Sequence, residues 1–172
     1  MSAVPVDRMR AAVVLGVMGV LLLVLVVGTV DTLVWLPCAT APTTPLDGVY
    51  AALASSHDLT ASVAGAVVWA GLASLLGVAY AVLLLPAVPA LRRLTGTVRP
   101  RDALGFGLLL LGLVCLLHRG SAFGMGNAVS DLLPPYRGTL TPAGAVLLLA
   151  GPAMLVLAAV AFLLPWRRPL PA

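Results

Sequence analysis

The sequence predicts an all-α integral membrane protein: a four-helix bundle of four transmembrane helices, both termini cytoplasmic, with a short amphipathic helix in the first outer loop. Three observations carry that prediction. Only 9% of the residues are charged and 61% are hydrophobic, with mean hydropathy +1.11, whereas a soluble domain carries about 25% charged residues. Apolar runs of crossing length recur near residues 11–34, 60–85, 102–123 and 142–165. The arginines are also sorted by side, and that sorting sets the topology.

The link 89–102 carries Arg92, Arg93, Arg99 and Arg101, and a basic cluster beside membrane spans stays cytoplasmic. Arg8, Arg10, Arg167 and Arg168 then fall on the same side, leaving only Arg119 and Arg137 outside. The formal charge of +4 does not point to nucleic acid, because these arginines sit at the ends of apolar runs rather than in a binding stripe. Every basic residue is Arg and every acidic one Asp, a bias that, with abundant Ala, Gly, Pro and Val, suggests a GC-rich bacterial coding sequence and hence a multi-pass protein of the cell membrane.

Arg8 and Arg10 precede the first run, and Ala39-Thr40-Ala41 has the form of a signal cleavage site. The run is far longer than the about 7–15 residue core of a signal peptide, and Pro42 would follow the cut. It is therefore expected to stay as a span. At 24 residues it is about 36 Å long, more than the ~30 Å hydrocarbon core. That places Asp31 near the outer boundary and Trp35 in the interfacial belt.

The segment 36–42, with Pro37 and Pro42, reads as a proline-broken exit. Thr44 as cap, Pro45 at the first helical position and Asp47 near the positive dipole end start a helix over about 45–56. Leu46, Val49, Tyr50 and Leu53 give it one apolar face, which either lies on the leaflet or caps the bundle. In the second span Ala66, Ala70 and Ser74, and again Ala73, Gly77 and Ala81, form small-residue rows that allow close helix approach.

Only 103–117 of the third span is free of charge and imidazole, about 22 Å of helix. It must continue past His118 and Arg119 to about residue 123 to cross ~30 Å. The outer link 120–141 follows, and Thr141-Pro142 opens the fourth span by the device used at Thr44-Pro45. Pro152 is expected to kink that span.

With this topology Asp31, Cys38, His57, Asp58, Cys115, His118, Arg119, Met125 and Asp131 gather at the outer face. The inner half carries no charged side chain between its boundaries, so an ion wire across the full thickness is not expected. Arg119 is expected to pair with Asp31 at the same depth, with Asp131 and Asp58 as alternative partners, in an outer polar cluster of Asp31, His57, Asp58, His118, Arg119 and Asp131. The outer compartment permits a Cys38–Cys115 disulfide, although Cys115 lies about one turn below the surface. The same thiols with His57 and His118 have the ligand types of a zinc or copper site, but no CxxC or HxxxH spacing is present, so no metal and no cofactor is expected. Paired outward cysteines, deep histidines for haem, a Ser/His/Asp group and a phosphate loop are all missing from the sequence.

The expected role is therefore non-enzymatic: an accessory subunit of a membrane complex or a homo-oligomer, with the lipid bilayer and membrane subunits as partners and no nucleic acid. The alternative is an outer-face ligand-binding or transport pocket around Arg119, Asp31, His118 and Asp131. A metal or thiol redox enzyme comes third.

Overall fold

A computed structural model describes residues 6–85, 98–133 and 140–163. The described residues are helical and contain no strand. Helix α1 (Val6–Val30) runs through a π-helical turn (Asp31–Trp35) directly into α2 (Leu36–Thr40). Helices α3 (Leu46–Ser55), α4 (Leu59–Leu84), α5 (Pro100–Leu132) and α6 (Pro142–Leu163) follow. Four rods are long and apolar enough to cross a membrane: Val6–Thr40, α4, α5 and α6.

Two of these exceed the expected lengths. The first continues to Thr40 instead of breaking at Pro37. That proline lies in the first turn of α2, where its ring is tolerated. In an uninterrupted α-helix the Leu33 carbonyl would take the N–H of residue 37, which proline lacks. The Tyr50 hydroxyl of α3 donates to that carbonyl at 2.7 Å instead. Tyr50→Phe should therefore destabilise the fold by about 1.5 kcal/mol, as an acceptor is left unmet, readable in a denaturant melt.

The same hydroxyl gives a pH dependence. Burial, reinforced by the Cys38 sulfur, holds the Tyr50 hydroxyl above its ordinary value near 10. A group whose folded value is raised stabilises the fold below its unfolded value and loses that contribution as pH rises through the folded one. Docking of α3 should thus be intact at neutral pH and fail in the alkaline range above about 10, together with the rise of tyrosinate absorbance. Tyr50→Phe should remove that alkaline step.

Helix α5 also outruns its expected end near 123 and continues to Leu132. Gly120, Gly124 and Gly126 each disfavour helix by about 1 kcal/mol relative to Ala, which is why 120–141 reads as a link. Tertiary packing outweighs them. Ala122, Met125 and Val129 are buried at helical spacing in a small core with Leu36, Ala41, Val49 and Leu53. That core joins α2, α3 and α5 beyond the main one.

Helix α5 is the centre of the bundle, packed against α1, α4 and α6. The two small-residue rows of α4 resolve into one buried stripe through Ser62, Ala66, Trp69, Ala73, Gly77, Tyr80 and Leu84, with Ser74 exposed. Its two aromatic ends anchor it to α5 carbonyls: Trp69 Nε1 donates to Val114 O at 2.9 Å, and Tyr80 OH to Ala103 O at 2.9 Å. Between α5 and α6 two glycines let the backbones meet, a Cβ on Gly112 lying 3.0 Å from the Gly151 carbonyl and one on Gly151 3.2 Å from the Gly112 carbonyl. A Cβ on Gly112 would meet Leu155 at 2.8 Å, and one on Gly151 would meet Leu116 at 2.8 Å. Pro152 lies inside an unbroken α6, on its exposed side.

Candidate functional site

The buried stripe of α1 passes through Val14, Val17, Leu21, Val24 and Gly28 at alternating steps of three and four. At its end the π turn buries two adjacent residues, Asp31 and Thr32. A π turn holds more residues than an α turn, so both polar side chains face the bundle rather than one facing outward. The wide turn closes with Leu36 N–H on the Asp31 carbonyl. Such turns recur at functional sites, which makes this the first place to look.

Three helices converge there. Thr141 caps α6: its Oγ1 accepts the Gly144 N–H at 2.9 Å and donates its own proton to Asp31 Oδ1. Asp31 Oδ2 lies 3.7 Å from His118 Nε2 of α5. The same nitrogen is 3.0 Å from the Gly28 carbonyl and 3.1 Å from Thr32 Oγ1. A carbonyl can only accept, so Nε2 carries the proton. The imidazole edge-packs on Trp69, ring centroids 5.1 Å apart and planes at 67°. A carboxylate at the start of α6 also sits at the positive end of that helix dipole.

Glycine makes room for this. A Cβ on Gly28 would meet Trp69 at 2.5 Å and His118 at 2.9 Å, and one on Gly144 would meet Asp31 Oδ2 at 3.0 Å. The cluster is sealed. Asp31 is 1% exposed, Thr32 0%, His118 2% and Thr141 3%.

The pairing differs from the expected one. No ion pair joins Asp31 to Arg119; its neighbours are His118 and Thr141. Residues 118 and 119 point about 100° apart on a helix of 3.6 residues per turn, so burying the imidazole turns the guanidinium aside. Arg119 is half-buried and makes other contacts. Asp131 is exposed and stands about 18 Å beyond Arg119 along the same helix.

His57 and Asp58 are exposed and serve the turn between α3 and α4. His57 takes φ 65°. Its N–H bonds Ala54 O, and the Asp58 N–H bonds Leu53 O at 3.1 Å, the paired closure that ends a helix in the left-handed conformation. Cys38 and Cys115 are free thiols, the first exposed and the second buried. Cys115 belongs to the main apolar core with Leu111 and Val114, and the permitted disulfide is not present in the structure. Met125 is packed in the smaller core. Among the described residues no three His, Cys, Asp or Glu gather at metal-binding distance.

Sequence reasoning assigned Thr141 only its capping role and missed Thr32, Gly28 and Trp69. Pro37 was the available signal, since a proline four residues beyond Leu33 marks helix irregularity upstream. Thr141→Val should destabilise by about 2 kcal/mol, losing both a cap and a donor to a carboxylate. Thr141→Ser should stay within about 0.5 kcal/mol, because it keeps both bonds; thermal melts in detergent would separate the two.

The chain's likeness to other proteins adds nothing to this geometry. No protein-family model, curated protein or solved structure matches it.

Proposed function

We propose that this chain is a four-span protein of a bacterial cell membrane, both termini cytoplasmic and α3 in the first outer loop, that acts by packing as an accessory subunit or a homo-oligomer. The observation that carries the reading is the closed cluster. Its acid, imidazole and hydroxyls are spent on one another and on backbone groups, across three helices, and each of these residues is at most 3% exposed. An intramembrane ionisable pair is a functional-site candidate by default, and a ligand or ion site requires access. A clamp requires only burial.

The outward surface agrees with this. Of the most apolar stretch of α6, 17% is buried, against 50% for α5, so α6 offers a broad apolar face to lipid or to another subunit. Gentle detergent extraction followed by mass measurement tests the role: an oligomer or a defined complex supports it, and a strictly monomeric species counts against it.

The topology has its own test. Among the described residues, Arg8, Arg10, Arg99 and Arg101 stand at one end against Asp7 and Asp102. The other end holds Asp31, Asp47, Asp58 and Asp131 against Arg119. Such a charge asymmetry favours the basic end inside. Cys38 is the exposed thiol and Cys115 the buried one, so a membrane-impermeant maleimide should label intact cells at Cys38. Labelling only after lysis reverses the assignment.

A further inference from the structure

We propose that the basic end of the bundle carries a binding site for an anionic phospholipid, in the groove between the first turns of α1 and α5. The groove has a volume of about 360 Å³ and is lined by Met9, Val13, Arg99, Pro100, Arg101 and Leu104. That is within the about 300–1,000 Å³ of small-molecule sites. Its walls are two i, i+4 pairs. Met9 and Val13 lie on α1, Pro100 and Leu104 on α5, and each second member is one turn, about 6 Å, deeper. Arg99 caps α5 and Arg101 lies in its first turn, with the apolar Val13 and Leu104 a turn deeper. That order, a cation above and grease beneath, is the order of a phosphodiester headgroup on its acyl chain.

The mouth is held in place. Arg10 is 2% exposed and bonds both Asp7, at 3.2 Å, and the Val98 carbonyl, at 3.4 Å. It thereby ties the start of α1 to the residue just before Arg99. Asp102 accepts the Arg99 backbone N–H at 3.2 Å and lies 3.7 Å from Arg101 Nε. Among the described residues both carboxylates at this end are thus engaged, while four arginines stand there. The Arg99 side chain is exposed over the groove. The net positive charge selects a phosphatidylglycerol-type lipid over a zwitterionic one, and the exposed apolar side chains of Met9 and Leu104 select a lipid over a free phosphate.

Native mass spectrometry of the intact protein from mixed micelles of phosphatidylglycerol and phosphatidylcholine tests this. The wild-type chain should retain phosphatidylglycerol preferentially. An arginine at the bound headgroup contributes about fivefold, so Arg99→Gln should lose about fivefold and Arg99→Gln/Arg101→Gln about 25-fold. Arg8→Gln removes the same charge from the same end without touching the groove, and should leave retention within about twofold, less than one arginine's share. Leu104→Trp keeps every charge and fills the floor; it too should expel the lipid. Helical circular dichroism confirms that each variant is folded, and Arg99→Gln, at an exposed side chain, stands in if the double variant is not. Equal losses for Arg8→Gln and Arg99→Gln, equal retention of the two lipids by the wild type, or displacement by excess inorganic phosphate would each overturn the site.

Discussion

Asp31→Ala is expected to lower the stability of this protein by about 3–5 kcal/mol, the range for breaking a buried pair by removing one partner. The loss comes mainly from what is left behind. The Thr141 hydroxyl, still holding the Gly144 N–H, would have no acceptor for its own proton. His118 would keep the Gly28 carbonyl but lose the carboxylate 3.7 Å away, and no water reaches a cluster whose members are at most 3% exposed. Asp31→Asn retains an oxygen for Thr141 and should cost only about 1–2 kcal/mol.

Replacing both Asp31 and His118 by leucine should recover much of the single-variant loss, since an apolar pair of similar volume often matches a buried polar one. A double-mutant cycle in detergent, read by denaturant unfolding, gives the coupling directly. A clamp predicts a coupling above about 1 kcal/mol. If Asp31→Ala instead melts like the wild type, the cluster does not hold the helices and the packing reading loses its support.

Gly28→Val carries the second large effect, a destabilisation of about 3 kcal/mol from overpacking. The first added carbon would already lie 2.5 Å from Trp69 and 2.9 Å from His118. Neither ring can yield cheaply. Trp69 is held by its 2.9 Å bond to the Val114 carbonyl, and His118 by Gly28's own carbonyl. The internal control is Gly16→Ala, where nothing lies within 4 Å and helix propensity alone should add up to about 1 kcal/mol. Opposite signs for two glycines on one helix would show that α1 is selected for contact at one and not at the other. A thermal melt of both variants decides it, and a Gly28→Val chain as stable as the wild type would mean that the rings are not locked.

Much of the architecture was legible from residue order. Small residues on α4 and the cap at Thr141 could be read because they depend on local geometry: a helical repeat places side chains on a face, and the Thr141 hydroxyl meets its own helix's N–H. At Thr44-Pro45, by contrast, the expected cap does not form, and α3 starts after Pro45 with no side-chain cap. The partner of Asp31 was not readable. Depth in a membrane can be counted along one helix, and Asp31, His118 and Arg119 count to the same level. Which of two consecutive side chains turns inward depends on the rotation of α5 against its neighbours, and one residue of rotation exchanges an imidazole for a guanidinium.

The sequence by itself determined that four helices are long and apolar enough to cross a membrane, because the hydrophobic length needed for a crossing and the helical rise per residue are constants of lipid and backbone. Only the tertiary structure decided how far the first and third rods continue. Leu36, Val49, Leu53 and Met125 form a core that outweighs glycine and proline signals which, taken along the chain, say stop. It also decided that the buried acid meets a histidine. A π turn is a response to neighbours competing for the same space, and that competition exists only once the helices have met.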